Sequence, residues 1–165
     1  MSVELIDFSI QVTEELEEAV IAALYEAAGE LQASAVRNSR QGHKYGDIEA
    51  RALWEYKVDE DKLSAAVGSP HEAGYWEEFG TGEFAQHGDG RKGWWVYVEG
   101  QDSGNGGKSY STKEEADRTV AYLRSQGLEA YSTNGIEPNK PLQRAFQSGR
   151  PVVERIFEAK LKGLE

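Results

Sequence analysis

Three glutamates that could act as acids or bases lie close together in mid-chain: Glu77, Glu78 and Glu83. Glycoside hydrolysis uses a pair of carboxylates, and nearby tryptophans and tyrosines could stack on sugar rings. However, the chain contains 29 Asp and Glu residues, so carboxylates close in sequence are expected by chance. Sequence neighbours in a strand also point to opposite faces. A small acidic glycoside hydrolase using Glu77 or Glu78 is therefore kept as an alternative hypothesis only.

Two other groups of residues could bind a metal ion or a phosphate. The three histidines, His43, His71 and His87, are too far apart in sequence for the i,i+4 pair of a helical metal site. The segment Gly107-Lys108-Ser109 resembles the end of a phosphate-binding loop, but Asp102 stands where that pattern needs its first glycine. We therefore predict no catalytic residue, no metal and no cofactor.

Composition narrows the function classes. The chain has 165 residues, a net charge of −11 and no cysteine, which excludes disulfides and thiolate catalysis. Proteins that bind nucleic-acid backbones need a positively charged surface, so sequence-specific nucleic-acid binding is not expected. The first residues lack the pattern of a signal peptide, and no apolar run approaches about 18 residues. We expect synthesis in the cytoplasm and no membrane partner.

Helical periodicity marks both ends of the chain. A short strand is plausible over Val3–Val12, and Thr13 is a good N-cap for a long helix. The apolar stripe of that helix comprises Leu16, Val20, Ala23, Leu24, Ala27, Leu31 and Ala35. A second helical stripe runs from Leu142 to the end. Gly149 and Pro151 interrupt it, which predicts either a kinked helix or two helices.

Between the helices, Ala52–Val58 and Lys62–Val67 read as two short strands. Residues 94–133 then form a strand–helix–strand pattern. Trp94–Glu99 is rich in aromatic and β-branched residues, a capping box begins at Thr112, and Gly127 ends the helix before the strand Leu128–Thr133. Of the adjacent Trp94 and Trp95, at most one can face the core of its own sheet.

The segment His71–Gly82, with the sequence HEAGYWEEFGTG, combines three aromatics, acidic residues and a Gly-Thr-Gly turn. Residues 73–79 could form a short helical turn or a strand. We predict a strand whose end is turned by Gly80–Gly82. In that geometry Phe79, together with either Tyr75 or Trp76, is buried against the two long helices.

These elements predict an α+β fold in a single domain, residues 1–165. A small, mostly antiparallel sheet is packed by the long N- and C-terminal helices. The predicted core comprises residues 1–93 and 134–165, and residues 94–133 form an insert.

Two of these segments carry a family resemblance. They are Tyr75-Trp76-Glu77-Glu78-Phe79-Gly80-Thr81-Gly82 and Pro138-Asn139-Lys140-Pro141-Leu142-Gln143-Arg144-Ala145-Phe146. With the flanking helices, they resemble the HK97 gp10-like family of tailed-phage tail-component or tail-completion (neck) proteins. The resemblance covers roughly residues 13–82 and 134–165. Leu142 replaces the aromatic usual in the family, and the insert is larger than a simple loop.

The resemblance implies a non-enzymatic virion protein at the head–tail junction, made in the host cytoplasm. It implies a ring of six copies that contacts the stopper or connector, the tail terminator and the tail tube, and we expect a monomer before assembly. A prophage-encoded module that binds a host protein is a further alternative. The candidate assembly residues are Tyr75, Trp76, Glu78, Phe79, Gly80, Thr81, Gly82, Trp94, Trp95, Pro138 and Pro141.

Overall fold

The computed structural model describes residues 9–88, 90–101 and 107–164, with side chains from residue 13 onward. Within these residues, four helices and six short strands follow one another. Two single turns of 3-10 helix, Ala50–Ala52 and Gly82–Phe84, lie between them. The elements are α1 (Ser9–Asn38), β1 (Lys44–Tyr45), β2 (Ile48–Glu49), β3 (Glu55–Asp59), β4 (Ser64–Gly68), α2 (Glu72–Phe79), β5 (Trp95–Val98), α3 (Lys113–Ser125), β6 (Ala130–Thr133) and α4 (Pro141–Lys162).

The strands form three separate antiparallel ribbons, β1–β2, β3–β4 and β5–β6. The predicted α+β fold is confirmed, although its strands do not join into one sheet. The predicted strand pair is the β3–β4 hairpin, in which Glu55 pairs with Gly68 and Asp59 with Ser64. The short β1–β2 ribbon is not among the strands predicted from the sequence.

The two long helices form the main layer of the molecule. They run antiparallel, because the C-terminal end of α1 meets the start of α4 through Asn38 and Pro141, while Glu26 pairs with Lys160. Gly149 allows this close packing, since a Cβ there would lie 2.5 Å from Cδ2 of Leu31. The helix α4 continues through Pro151, so the alternative of two C-terminal helices is wrong. In the described part of the chain, no helix is long and apolar enough to cross a membrane.

The start of α1 differs from the prediction. Residues 9–12 of the predicted strand Val3–Val12 are helical, and Thr13 lies inside α1 rather than at its N-cap. Residues 1–8 lie outside the described residues. The loose alternation of this segment has no partner strand in the described residues, whereas each residue added to an existing helix gains a backbone hydrogen bond. Residues 9–12 therefore extend the helix.

The insert is confirmed as a strand–helix–strand unit. The hydroxyl of Thr112 accepts a hydrogen bond from the Glu115 N–H at 3.3 Å, and Gly127 ends the helix with a φ of +81°. Strand β5 pairs with β6 in the register Trp95 with Thr133 and Tyr97 with Tyr131. The helix α3 covers one face of this ribbon, burying Ala116, Val120 and Ala130.

Candidate functional site

Residues 72–79 form the helix α2, so the predicted strand is wrong. The helix ends at Gly80, whose N–H donates to the Trp76 carbonyl at 2.9 Å. A helix places residues four apart on one face, and the buried face of α2 comprises Ala73, Gly74, Glu77 and Glu78. The two carboxylates, which a strand would have placed on opposite faces, are both turned inward.

The aromatic residues of α2 are correspondingly less buried than predicted. Trp76 is half-buried and packs against the core cluster that contains Ala35 of α1 and Ala145 of α4. Phe79, predicted to be buried there, instead contacts Tyr75 and His87 with ring centroids 4.9 and 4.7 Å apart, and Tyr75 is 41% exposed. The helical turn directs Tyr75 outward and leaves Phe79 half-buried. The burial predicted for Trp76 and Phe79 is thus met in part, since both are half-buried, and of the two only Trp76 packs against this core cluster.

Glu77 is fully buried and holds three chain segments together. Its carboxylate accepts hydrogen bonds from the backbone N–H of Arg40 at 3.1 Å and from the Arg40 guanidinium at 2.5 Å. It also accepts from the Tyr45 hydroxyl at 2.5 Å and the Asn139 side-chain amide at 2.6 Å. The backbone carbonyl of Glu77 accepts from the Asn139 N–H. A buried carboxylate is tolerated when paired and hydrogen-bonded in this way.

These partners determine the charge state of Glu77. Burial by itself would raise the pKa of Glu77, but the hydrogen bonds from Tyr45, Arg40 and Asn139 and the charge of Arg40 outweigh burial and lower it. Burial, followed by the hydrogen bond to Glu77, raises the pKa of the Tyr45 hydroxyl. Glu77 is therefore ionised at neutral pH while Tyr45 keeps its proton.

Glu78 performs a different task. One of its carboxylate oxygens accepts from the Leu142 N–H at 2.8 Å and the other from the Gln143 N–H at 3.0 Å. These N–H groups belong to the first turn of α4, where backbone donors have no partner inside the helix and the helix dipole favours negative charge. Glu78 thus caps α4 from a distant part of the chain. Pro141 occupies the first helical position, where its missing N–H costs nothing.

The Gly-Thr-Gly turn is fastened to the segment preceding α4. Thr81 donates its N–H to the Ile136 carbonyl at 2.9 Å, and its hydroxyl accepts from the Ile136 N–H at 3.0 Å. The Glu83 N–H donates to the Asn134 carbonyl. We call this contact between residues 77–84 and 134–143 the junction. It brings together the two segments that carry the family resemblance.

The predicted assembly residues fall into two groups. Glu78, Gly80, Gly82 and Pro141 are buried within the junction, and Thr81 is fastened to it, so these five residues act inside the subunit. Tyr75 is exposed, whereas Trp76, Phe79, Trp94, Trp95 and Pro138 are half-buried. Trp94 lies near Lys113 at the start of α3, and Trp95 lies on the opposite face beneath Arg91.

Sequence reasoning missed Arg40, Tyr45 and Asn139. Arg40 and Tyr45 lie in a segment without a recognisable motif, and Asn139 stands out only as part of residues 138–146, one of the segments that carry the family resemblance. One signal was present, since an acidic pair inside an aromatic segment needs partners if that segment is buried. The sequence does not show which distant residues supply them.

The geometry gives no support to the hydrolase hypothesis. Every carboxylate oxygen of Glu77 and Glu78 is occupied by a donor from the same chain. A general acid must carry a proton and reach the substrate, whereas Glu77 is ionised and enclosed. Within the described residues, no group of three or more His, Cys, Asp or Glu side chains is arranged to hold a metal ion.

A comparison of the chain with protein-family models, curated proteins and solved structures finds no significant match. The family resemblance therefore remains a prediction from the residues.

The stability of the junction is expected to depend on pH. The pKa of Glu77 is lower in the folded chain than its ordinary value of 4.5, so the ionised carboxylate stabilises the fold above pH 4.5. That stability is lost as the pH falls through the folded pKa. Urea unfolding of the wild type and of Glu77→Gln over an acid pH series measures the effect. As the pH falls below 4.5, the free energy of unfolding of the wild type should decrease more than that of the variant. If the two free energies fall in parallel with pH, the stabilising role of the Glu77 charge is contradicted.

Proposed function

We propose that this chain is a structural virion protein of a tailed bacteriophage, a tail-completion or neck component at the head–tail junction. It acts by assembling as a ring with connector and tail-tube proteins and uses no catalytic residue. The observation that carries the proposal is the junction. The two segments that resemble the phage family are held together by Glu77 and Glu78, so the acidic pair serves as scaffold.

The architecture supports this role in two further ways. The β3–β4 hairpin lies along α1, where Tyr25 contacts Tyr56, and residues 64–66 of β4 are exposed. Short exposed ribbons of this kind can pair with neighbouring subunits. A net charge of −11 also disfavours association of separate subunits at low concentration. Both features suit a subunit that is made in the host cytoplasm and incorporated late.

Deletion of the gene from the phage genome tests the proposal. Induced lysates should contain DNA-filled heads and separate tails in negative-stain images, and a wild-type copy in trans should restore joined particles. Antibody labelling of the restored particles should mark the neck. Joined, infectious particles without this protein, or labelling elsewhere on the virion, would contradict the proposed function. Expression of an unrelated acidic protein from the same plasmid is the control for complementation.

A further inference from the structure

The insert presents a partly open face: its Trp95 ring packs against Gly82 of the junction, whereas Tyr97 and Tyr131 are exposed. In the β5–β6 ribbon, Trp95, Tyr97, Tyr131 and Thr133 lie on the face opposite α3, since alternate residues share a side and Ser132 on the other side bonds to Asp117 of α3. Tyr97 and Tyr131 are stacked across the strands with ring centroids 5.5 Å apart, and they are 38% and 39% exposed.

Two arginines lie over these rings. The Arg91 guanidinium is 5.1 Å from the centre of the Trp95 ring, and that of Arg124 is 5.2 Å from the centre of the Tyr131 ring. Arg91 is positioned by Ser109 and Gly107, and Arg124 by the Ala130 carbonyl. The ion pairs among the described residues involve neither arginine. We call Arg91, Trp95, Tyr97, Arg124 and Tyr131 the arginine–aromatic face.

The charge of the chain is distributed unevenly. Residues 1–36 contain eight acidic residues and no Lys or Arg, whereas residues 91–133 contain six basic and six acidic residues. In the described part of α1, Glu14, Glu17 and Glu18 are exposed, and Leu16 among them is 44% exposed. We call residues 14–18 the acidic end of α1. It offers carboxylates for the arginines and an apolar side chain for the tyrosines.

The acidic end and the junction lie at opposite ends of α1. The junction, which leads into the insert, meets α1 near Asn38 and Arg40, while the acidic end begins about 36 Å away along the helix at 1.5 Å per residue. The described residues show no ion pair between the arginine–aromatic face and the acidic end within one subunit, so each can contact a neighbouring subunit. Head-to-tail contacts of this kind close into rings or extend into filaments.

We propose that the arginine–aromatic face of one copy binds the acidic end of α1 of a neighbouring copy. The proposal deepens the ring assembly proposed above and rests on it. Glu99 and Glu129 form the next residue pair on the same face, beyond Tyr97 and Tyr131. The Glu99 N–H donates a hydrogen bond to the Glu129 carbonyl. The two carboxylates would repel the helix there, so the acidic end must lie on the side of Tyr97 and Tyr131 that faces Arg91.

Sedimentation of the full chain at low ionic strength tests the contact. The wild type should associate as concentration rises, and added salt should weaken the association because exposed charges are screened. The double variant Arg91→Glu/Arg124→Glu should weaken association about tenfold or more. The triple variant Glu14→Lys/Glu17→Lys/Glu18→Lys should do the same by reversing the other surface.

Matched controls separate this contact from general charge effects. Arg118→Glu/Arg155→Glu reverses the same number of exposed charges away from the face and should leave association unchanged. A mixture of the double and triple variants should associate again, because each then carries the complement of the other. Helical content, followed by circular dichroism, checks that every variant folds.

Three results would overturn the proposal: a wild type that stays monomeric at every concentration, equal weakening by the control variant, or no recovery in the mixture. Neck labelling reports on the proposed function independently of sedimentation. If the antibody labels the neck but the chain does not associate head to tail, only the proposed contact is wrong. If the chain associates but its deletion leaves joined particles and the antibody does not label the neck, the proposed function is wrong.

Discussion

Glu77→Gln is expected to lower the free energy of unfolding by about 3 kcal/mol, since removing one partner of a buried ion pair leaves the other charge uncompensated. The Glu77 side chain is fully buried, but that of Arg40 is 26% exposed, which places the effect at the lower end of the usual range. The amide of glutamine has a single acceptor oxygen for the donors of Arg40, Tyr45 and Asn139. Urea unfolding at neutral pH measures the loss.

Glu72→Gln provides the matched control for this experiment. Glu72 lies in the same helix as Glu77 and is exposed, so the identical chemical change there should alter the free energy of unfolding by no more than about 0.5 kcal/mol. Similar losses in the two variants would mean that the junction does not depend on the Glu77 charge. That outcome would also remove the structural explanation for the acidic pair.

Gly82→Ala is the second change with a large expected effect, a loss of about 3 kcal/mol or more. Gly82 has a φ of +60°, which is strained for alanine, and its Cβ would lie 2.2 Å from the Asn134 carbonyl oxygen. It would also lie 2.7 Å from the Trp95 ring. Relief requires residues 81–84 and 134–136 to separate, which breaks the backbone hydrogen bonds between them. Thermal unfolding measures the effect.

Gly88→Ala separates backbone strain from the clash. Gly88 has a φ of +75° but no atom within 4 Å of the added Cβ, so only the strain of the left-handed conformation remains, about 1 kcal/mol. The difference between the two variants therefore measures the close approach at Gly82. Equal losses would indicate that the segments do not meet as closely as the structure shows.

The elements predicted correctly from the sequence are those with local causes. The α1 stripe follows from helical periodicity, and its members Ala23, Ala27, Leu31 and Ala35 are buried. The start of α3 follows from Thr112 and Glu115, which are three residues apart, and its end from Gly127. The β3–β4 hairpin likewise depends on neighbouring residues. Interactions across a few positions leave a pattern that a single sequence shows.

The site could not be predicted in this way, because its causes are distant in the chain. Glu77 bonds to residues 37, 32 and 62 positions away, and Glu78 to residues 64 and 65 positions away. Without these partners two adjacent glutamates indicate an exposed segment, and aromatic residues beside them favour a strand. Burial of the acidic pair turns Glu77 and Glu78 toward the core, which is why Tyr75 is exposed and Phe79 is only half-buried.

The junction also has a consequence for how the chain folds. Closing the body requires Gly82 to meet Asn134 and Gly135 across a loop of roughly 50 residues, and the entropy of closure rises by about 0.6 kcal/mol for each doubling of loop length. The insert consists of contacts local to itself, and its strand pair holds Trp95 next to Thr133. Once the insert has formed, only roughly a quarter of that loop remains flexible, which lowers the closure cost by about 1 kcal/mol. Formation of the insert thus shortens the loop that must be closed between the two parts of the body.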